Sequence, residues 1–308
     1  MKKILLLLLI PSVLLAQKPT FKTDEIAVND LLKGTLYTPE NAKKTPLLIL
    51  LSGSGPTDRN GNQAGMENNS LKMLSESAAK SGIAVYTFDK RIIAQMKNGT
   101  VDEKTLSFED FINDAKQVIS FFRAKKKYSK IVVAGHSEGS LIGMIAANGN
   151  ADGFISISGA GRSIDKVVTD QIVKQAPMLK DEVEKDFALL KKGETFTLQD
   201  QTLAMLFRES VQPYLISWLK YDPTAEIAKL KIPVLIINGT KDLQVNQSEA
   251  ELLKAAKPDA KLVIIENMNH VLKEISGGDQ ENGASYSNPE LPISDKLTTS
   301  VNQFIKSL

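Results

Sequence analysis

Short apolar runs recur along the chain, separated by stretches in which apolar positions return every three or four residues. Runs at 46–51, 83–88, 130–134, 153–157, 232–237 and 261–265 predict six strands. The first, Pro46-Leu47-Leu48-Ile49-Leu50-Leu51, is continuous rather than alternating, the pattern of a strand buried on both faces. Between the second and third runs, Phe108, Phe111, Ile112, Ala115, Val118, Ile119 and Phe122 keep helical spacing, as do Leu297, Val301, Phe304 and Ile305 over 295–308. Strands alternating with amphipathic helices predict an α/β class fold with a mostly parallel central sheet flanked by helices. Residues 20–38 carry a weaker pattern and read as an antiparallel meander at the sheet edge.

The alternation is interrupted once. Three amphipathic stretches fall between two strands of the same sheet: Ile164 to Ile172, Val183 to Leu190, and Leu203 to Trp218, the last broken or kinked near Pro213. About 162–230 is therefore expected to form a helical cap inserted into one domain rather than a second domain. Residues 273–294, rich in Gly, Asn and Pro, read as a long polar loop.

Composition narrows the class. With 42% hydrophobic and 24% charged residues, the chain is neither disordered, collagen-like nor a multi-span membrane protein. Lys2-Lys3, an apolar run over 4–10, Pro11, Ser12 and a small residue at Ala16 predict a signal peptide over 1–16, hence export to the periplasm or the medium and a domain at 17–308. Its dozen apolar residues fall short of the ~20 that span a bilayer. Lys2 and Lys3 also account for the whole formal net charge of +2, so 17–308 is formally neutral and no nucleic-acid surface is expected. Cys is absent, which excludes disulfides, thiolate metal sites and a cysteine nucleophile.

Gly135-His136-Ser137-Glu138-Gly139 follows an apolar strand and opens a helical run, the strand–turn–helix context in which G-x-S-x-G presents a serine nucleophile. The glycines are needed because a side chain at either flank would crowd the adjoining strand and helix. A serine hydroxyl needs a base. The chain has two histidines, and His136 is the immediate neighbour of Ser137, where the turn directs adjacent side chains apart. That leaves His270, just past the last strand. Asp242, beyond the strand over 232–237, is the expected carboxylate partner. Asp152 precedes its strand and belongs at the opposite edge, and Glu266 is the fallback. Backbone N–H groups of Glu138 and of Ser54, in the glycine-rich loop 51–61, are the expected oxyanion donors. That loop lacks the G-K-[ST] ending of a phosphate-binding loop. Tyr214 and Trp218 in the cap are candidates for an apolar substrate pocket.

These residues resemble the α/β-hydrolase superfamily and, more narrowly, bacterial serine esterases with a G-S-G-P-x-D-R motif after an early strand. Gly53-Ser54-Gly55-Pro56-Thr57-Asp58-Arg59 carries that motif, and Tyr221-Asp222-Pro223 and the segment from Tyr286 to Pro292 are similar to the group as well. The resemblance implies hydrolysis of small-molecule carboxylic esters through an acyl-enzyme, without a cofactor. A peptidase or thioesterase with the same triad, or an inactive exported binding protein of this fold, is the alternative. One departure stands out. Relatives continue Asp89-Lys90-Arg91 with a glycine-bearing turn, whereas this chain has Ile92-Ile93-Ala94, so a different loop shape is expected there. Asp58, Arg59, Asp89 and Arg91 read as surface salt links or as a cluster beside the site. A catalytic imidazole further implies activity that falls at acidic pH, around the ordinary histidine value of ~6.5.

Overall fold

The computed structural model describes residues 20–40 and 44–308; the expected signal peptide and its cleavage point lie outside them. Among the described residues, eight strands form one sheet: β1 (Phe21–Ala27), β2 (Lys33–Pro39), β3 (Leu47–Leu51), β4 (Ala84–Phe88), β5 (Ile131–His136), β6 (Gly153–Ile157), β7 (Val234–Gly239) and β8 (Lys261–Ile265). Their spatial order is β1-β2-β4-β3-β5-β6-β7-β8. The first two strands pair antiparallel with each other, and β2 pairs antiparallel with β4, which makes them the expected edge meander. All other pairings are parallel.

The central strands are apolar throughout because each feeds two cores. Leu47, Ile49 and Leu51 join Phe122, Ile142 and Phe154 on one side, while Leu48 and Leu50 join Leu74, Val301 and Phe304 on the other. The second core is closed by α1 (Ser70–Lys80) and α12 (Asp295–Ser307). The first is closed by α3 (Phe108–Ala124), whose start is fixed by a Ser107–Asp110 capping box, and by α4 (Glu138–Ala147). Between β4 and α3, the segment that departs from its relatives is a helix, α2 (Arg91–Asn98). From β3 the chain crosses to β4 on one side, and β5 lies on the other. In open α/β sheets, ligands collect at such a switch point, beyond the carboxyl ends of the strands.

Between β6 and β7 the chain forms α5 (Ile164–Gln175), α6 (Lys180–Lys191), α7 (Ala204–Phe207), α8 (Gln212–Trp218) and α9 (Pro223–Ala228). The stretch expected as one kinked helix is split into α7 and α8 at 208–211, and Pro213 sits in the first turn of α8, where its missing N–H costs nothing. These helices are fastened to the sheet layer at α3. The Trp218 ring stacks on Phe108 at 5.2 Å, and the Phe108 N–H donates to Ser217 Oγ at 2.7 Å. Arg208 grips Glu103 with Nε at 2.9 Å. Two short helices complete the chain: α10 (Gln247–Ala256) and α11 (Asp279–Ser285), the latter inside the segment expected as a loop. No helix among the described residues is long and apolar enough to cross a membrane.

Candidate active site

Ser137 stands between β5 and α4 with φ 55° and ψ −123°, a left-handed conformation that side chains rarely tolerate. The surroundings enforce it. A Cβ on Gly135 would lie 1.9 Å from the Gly139 carbonyl oxygen, and one on Gly139 would lie 2.5 Å from that of Ser52. Strand, serine and helix therefore pack at backbone contact, and the Ser137 N–H is held by the Ile157 carbonyl at 3.0 Å.

Two loops bring the acid and the imidazole together. The turn after β7 presses on the turn after β8 so closely that a Cβ on Gly239 would sit 1.9 Å from the Met268 carbonyl oxygen, and Lys241 N–H donates to that same oxygen at 3.0 Å. Asp242 is buried. Its Oδ1 accepts the N–H groups of Gln244 (3.0 Å) and Val245 (2.8 Å), and its Oδ2 lies 2.9 Å from His270 Nδ1. With Nδ1 facing a carboxylate, Nε2 is left as the nitrogen free to accept a proton. Ser137 and His270 line one cavity of about 200 Å³, together with Ser54, Gln63, Gln244 and Tyr286, although no hydrogen bond joins the hydroxyl to the imidazole. Such contacts are commonly long in ligand-free sites and tighten on substrate binding. Asp152 lies at the opposite end of the sheet, accepting the Ile131 N–H at 2.7 Å, and Glu266 is exposed.

The loop after β3 lies against Ser137: a Cβ on Gly53 would approach the Ser137 Cβ to 3.2 Å. Thr57 Oγ1 (2.7 Å) and Gln63 Nε2 (2.8 Å) both donate to the Ser54 carbonyl. Among the described residues, neither the Ser54 nor the Glu138 N–H has an acceptor within the protein. Asp58, Arg59, Asp89 and Arg91 do not form one cluster, and a surface link runs from Arg59 to the exposed Glu25 at 2.6 Å. Asp58 caps its own turn through the Asn60 and Asn62 N–H groups, both at 2.8 Å. Arg59 and Asp89 form a half-buried two-point pair at 3.1 and 2.8 Å, and Arg91 instead reaches Asp110 (2.8 Å) and Asp114 (2.7 Å) on α3.

Beyond Ser137 two more cavities open beneath α5–α8. One of about 490 Å³ is lined by Leu141, Val168, Ile172, Leu215 and Trp218 and reaches Ser54, Ser137 and Glu138. The other, about 240 Å³, is bounded by Phe111, Tyr214 and Trp218, with Lys90 and Glu138 among its walls. Burial and the neighbouring Glu138 carboxylate hold the Tyr214 hydroxyl well above the ordinary phenol range.

Several participants escaped the sequence reading. The ring of His136 lines the serine cavity and its Nε2 donates to the His270 carbonyl at 2.8 Å, a structural role that its place beside Ser137 does not announce. Asn269, fully buried, anchors the histidine loop by donating to Asn282 Oδ1 (2.9 Å) and Ser285 Oγ (2.7 Å). Tyr286, pushed up to about 12 by burial, meets Gln244 at the cavity wall at 3.0 Å.

Solved structures with a similar fold are numerous. The structure is similar to Est1E from Butyrivibrio proteoclasticus, with a TM-score of 0.59 at 17% identity, covering 92% of this chain and 98% of that one. It is similar to the Pyrococcus furiosus esterase Pf2001, with a TM-score of 0.54 at 16% identity over 93% and 91% of the two chains. At such identities the likeness establishes the α/β-hydrolase fold. In sequence, the chain is 27% identical over 273 residues to Esterase EstD of Thermotoga maritima, covering 87% of this chain and 63% of the relative's length. The model of the BD-FAE family matches residues 35–256, the span that holds Ser137, the helices α5–α9 and Asp242, and the chain therefore belongs to the BD-FAE family of α/β-hydrolases.

Proposed function

We propose that the protein is a serine hydrolase that cleaves small-molecule carboxylic esters through an acyl-enzyme. The observation that carries this reading is the meeting of Ser137, in its constrained turn, with the Asp242–His270 pair on one cavity at the carboxyl ends of the strands. The similarity to Esterase EstD supports an ester substrate. Ser137 Oγ attacks the ester carbonyl while its proton passes to His270 Nε2, and Asp242 holds the imidazolium. The unpaired N–H groups of Ser54 and Glu138 receive the oxyanion. Collapse of the tetrahedral intermediate breaks the ester C–O bond, and His270 gives its proton to the departing alcohol. Water then repeats the sequence and releases the acid. The apolar cavity lined by Leu141, Leu215 and Trp218 takes the acyl group, and the polar one beside Gln244 and Tyr286 takes the alcohol.

Incubation with p-nitrophenyl acetate and with a fluorophosphonate tests the reading. Turnover that is lost in Ser137→Ala, and a label located on the Ser137 peptide, are expected. Undiminished turnover in the variant would refute it. Rates on an ester, an acyl thioester and a peptide then fix the leaving group. Export of the chain, on the strength of the basic and apolar start at 1–16, is part of the proposal, and a mature protein beginning at Gln17 in the periplasmic or secreted fraction is the expected mass.

A further inference from the structure

We propose that Lys90 is a positioning residue that sets the aim of both oxyanion amides, an inference that rests on reading the site as that of a serine esterase. Lys90 leaves the end of β4 and runs inward, so that only 7% of it is exposed. Its ammonium has three donors. One is directed at the Gly53 carbonyl oxygen at 3.1 Å, one at Glu138 Oε1 at 2.6 Å, and its remaining face lies over the Phe111 ring, 4.6 Å from the centroid.

The two hydrogen-bonded partners are what give this placement its meaning. Gly53 C=O and Ser54 N–H belong to the same planar trans peptide, so they point in opposite directions. Fixing the carbonyl on one side therefore fixes the line along which the Ser54 N–H faces the substrate on the other. An ammonium on that carbonyl also polarises the peptide and strengthens its N–H as a donor. The second contact seizes the side chain of Glu138, whose own N–H is the other donor and whose side chain is 2% exposed. One cation thus spans the loop after β3 and the elbow after β5, two segments that sequence separates by more than eighty residues. The residues on either side of Lys90 are themselves tied down, Asp89 to Arg59 at 2.8 Å and Arg91 to Asp114 at 2.7 Å, so its stem has a firm base. Because Glu138 balances the charge, Lys90 acts through geometry rather than as a free positive charge at the oxyanion.

Kinetics of Lys90→Met and of the double variant Lys90→Met/Glu138→Met test the proposal. The second removes both charges and keeps a well-filled interior, so it folds even if the first leaves Glu138 unpaired. In both, kcat for p-nitrophenyl acetate is expected to fall about ten- to a hundredfold, short of deleting an oxyanion donor outright, with KM changed less than about threefold. Inhibition by a trifluoromethyl ketone, which forms a tetrahedral oxyanion on the serine, is expected to weaken by the same factor as kcat/KM. A loss that is present in the single variant but recovered in the double would assign the damage to the orphaned carboxylate and overturn the proposal. Wild-type kcat and ketone affinity in both variants would overturn it and leave the esterase reading standing. Wild-type protein inert to the ester and to the fluorophosphonate would overturn both.

Discussion

His136 holds the carbonyl oxygen of His270 at 2.8 Å from its Nε2, with the two rings 4.8 Å apart. A carbonyl can only accept, so Nε2 carries the proton, and in the neutral ring Nδ1 is bare. The residue beside the serine thus braces the backbone of the proposed base from behind.

This brace has a pH signature. Burial first, then the neighbouring His270, pushes the His136 pKa down to about 4, against an ordinary value of 6.5 in the unfolded chain. Between those limits the unfolded chain binds the extra proton, so folding loses stability as pH falls from 6.5 towards 4 and keeps the full contribution above 6.5. Urea denaturation is expected to show a loss on the order of 3 kcal/mol from this group across that window. In His136→Gln the stability-versus-pH slope becomes shallower there, and an unchanged slope would contradict the assignment.

Asp242→Asn separates orientation from folding. The amide oxygen can still accept the Gln244 and Val245 N–H groups, but its NH2 then faces His270 Nδ1 and forces the opposite tautomer. Ester turnover is expected to drop by about 10³–10⁴-fold, on the scale of the same change in serine proteases, with the melting temperature lowered only slightly.

Two glycines should respond with opposite sign. Gly135→Ala drives a methyl into the Gly139 carbonyl and is expected to abolish soluble, folded protein. Gly283→Ala adds a methyl in open space on the exposed face of α11 and should raise stability by about 0.5–1 kcal/mol, read from thermal melts.

The assignment of the acyl side is open to a steric test. Val168→Trp fills part of the cavity of about 490 Å³ beneath α5 that runs to Ser137. Its kcat/KM for p-nitrophenyl hexanoate should fall at least tenfold relative to the acetate. Equal losses on both esters would put the acyl group elsewhere.

The strands were legible because each central one is apolar on both faces, a pattern that Leu47 to Leu51 displays without ambiguity. The serine elbow was legible because its glycines answer a steric demand that holds wherever a strand turns straight into a helix. His270 could be named because the chain has only two histidines, and Asp242 because it lies just beyond the carboxyl end of a strand. Lys90, His136 and Asn269 could not, since their importance comes from contacts with Gly53, His270 and Ser285, partners up to 134 positions away. Charge told even less. Arg91 stands two residues from Asp89 in the chain, yet the two face different parts of the molecule, and only side-chain direction separates them. The helix α11 was missed because its apolar content is too low for any periodicity to show.

The helices α5–α9 leave the sheet at β6 and return at β7, and these strands are direct neighbours, Phe154 facing Val234. The two strands run parallel, so departure after Ile157 and return at Val234 are separated by three residues along the strand, about 10 Å, whatever the length of chain between them. Lengthening such an excursion adds little closure entropy, about 0.6 kcal/mol per doubling. Descendants of this scaffold can accordingly trade one roof for another, changing which molecules gain entry, while the reacting groups beneath keep their places.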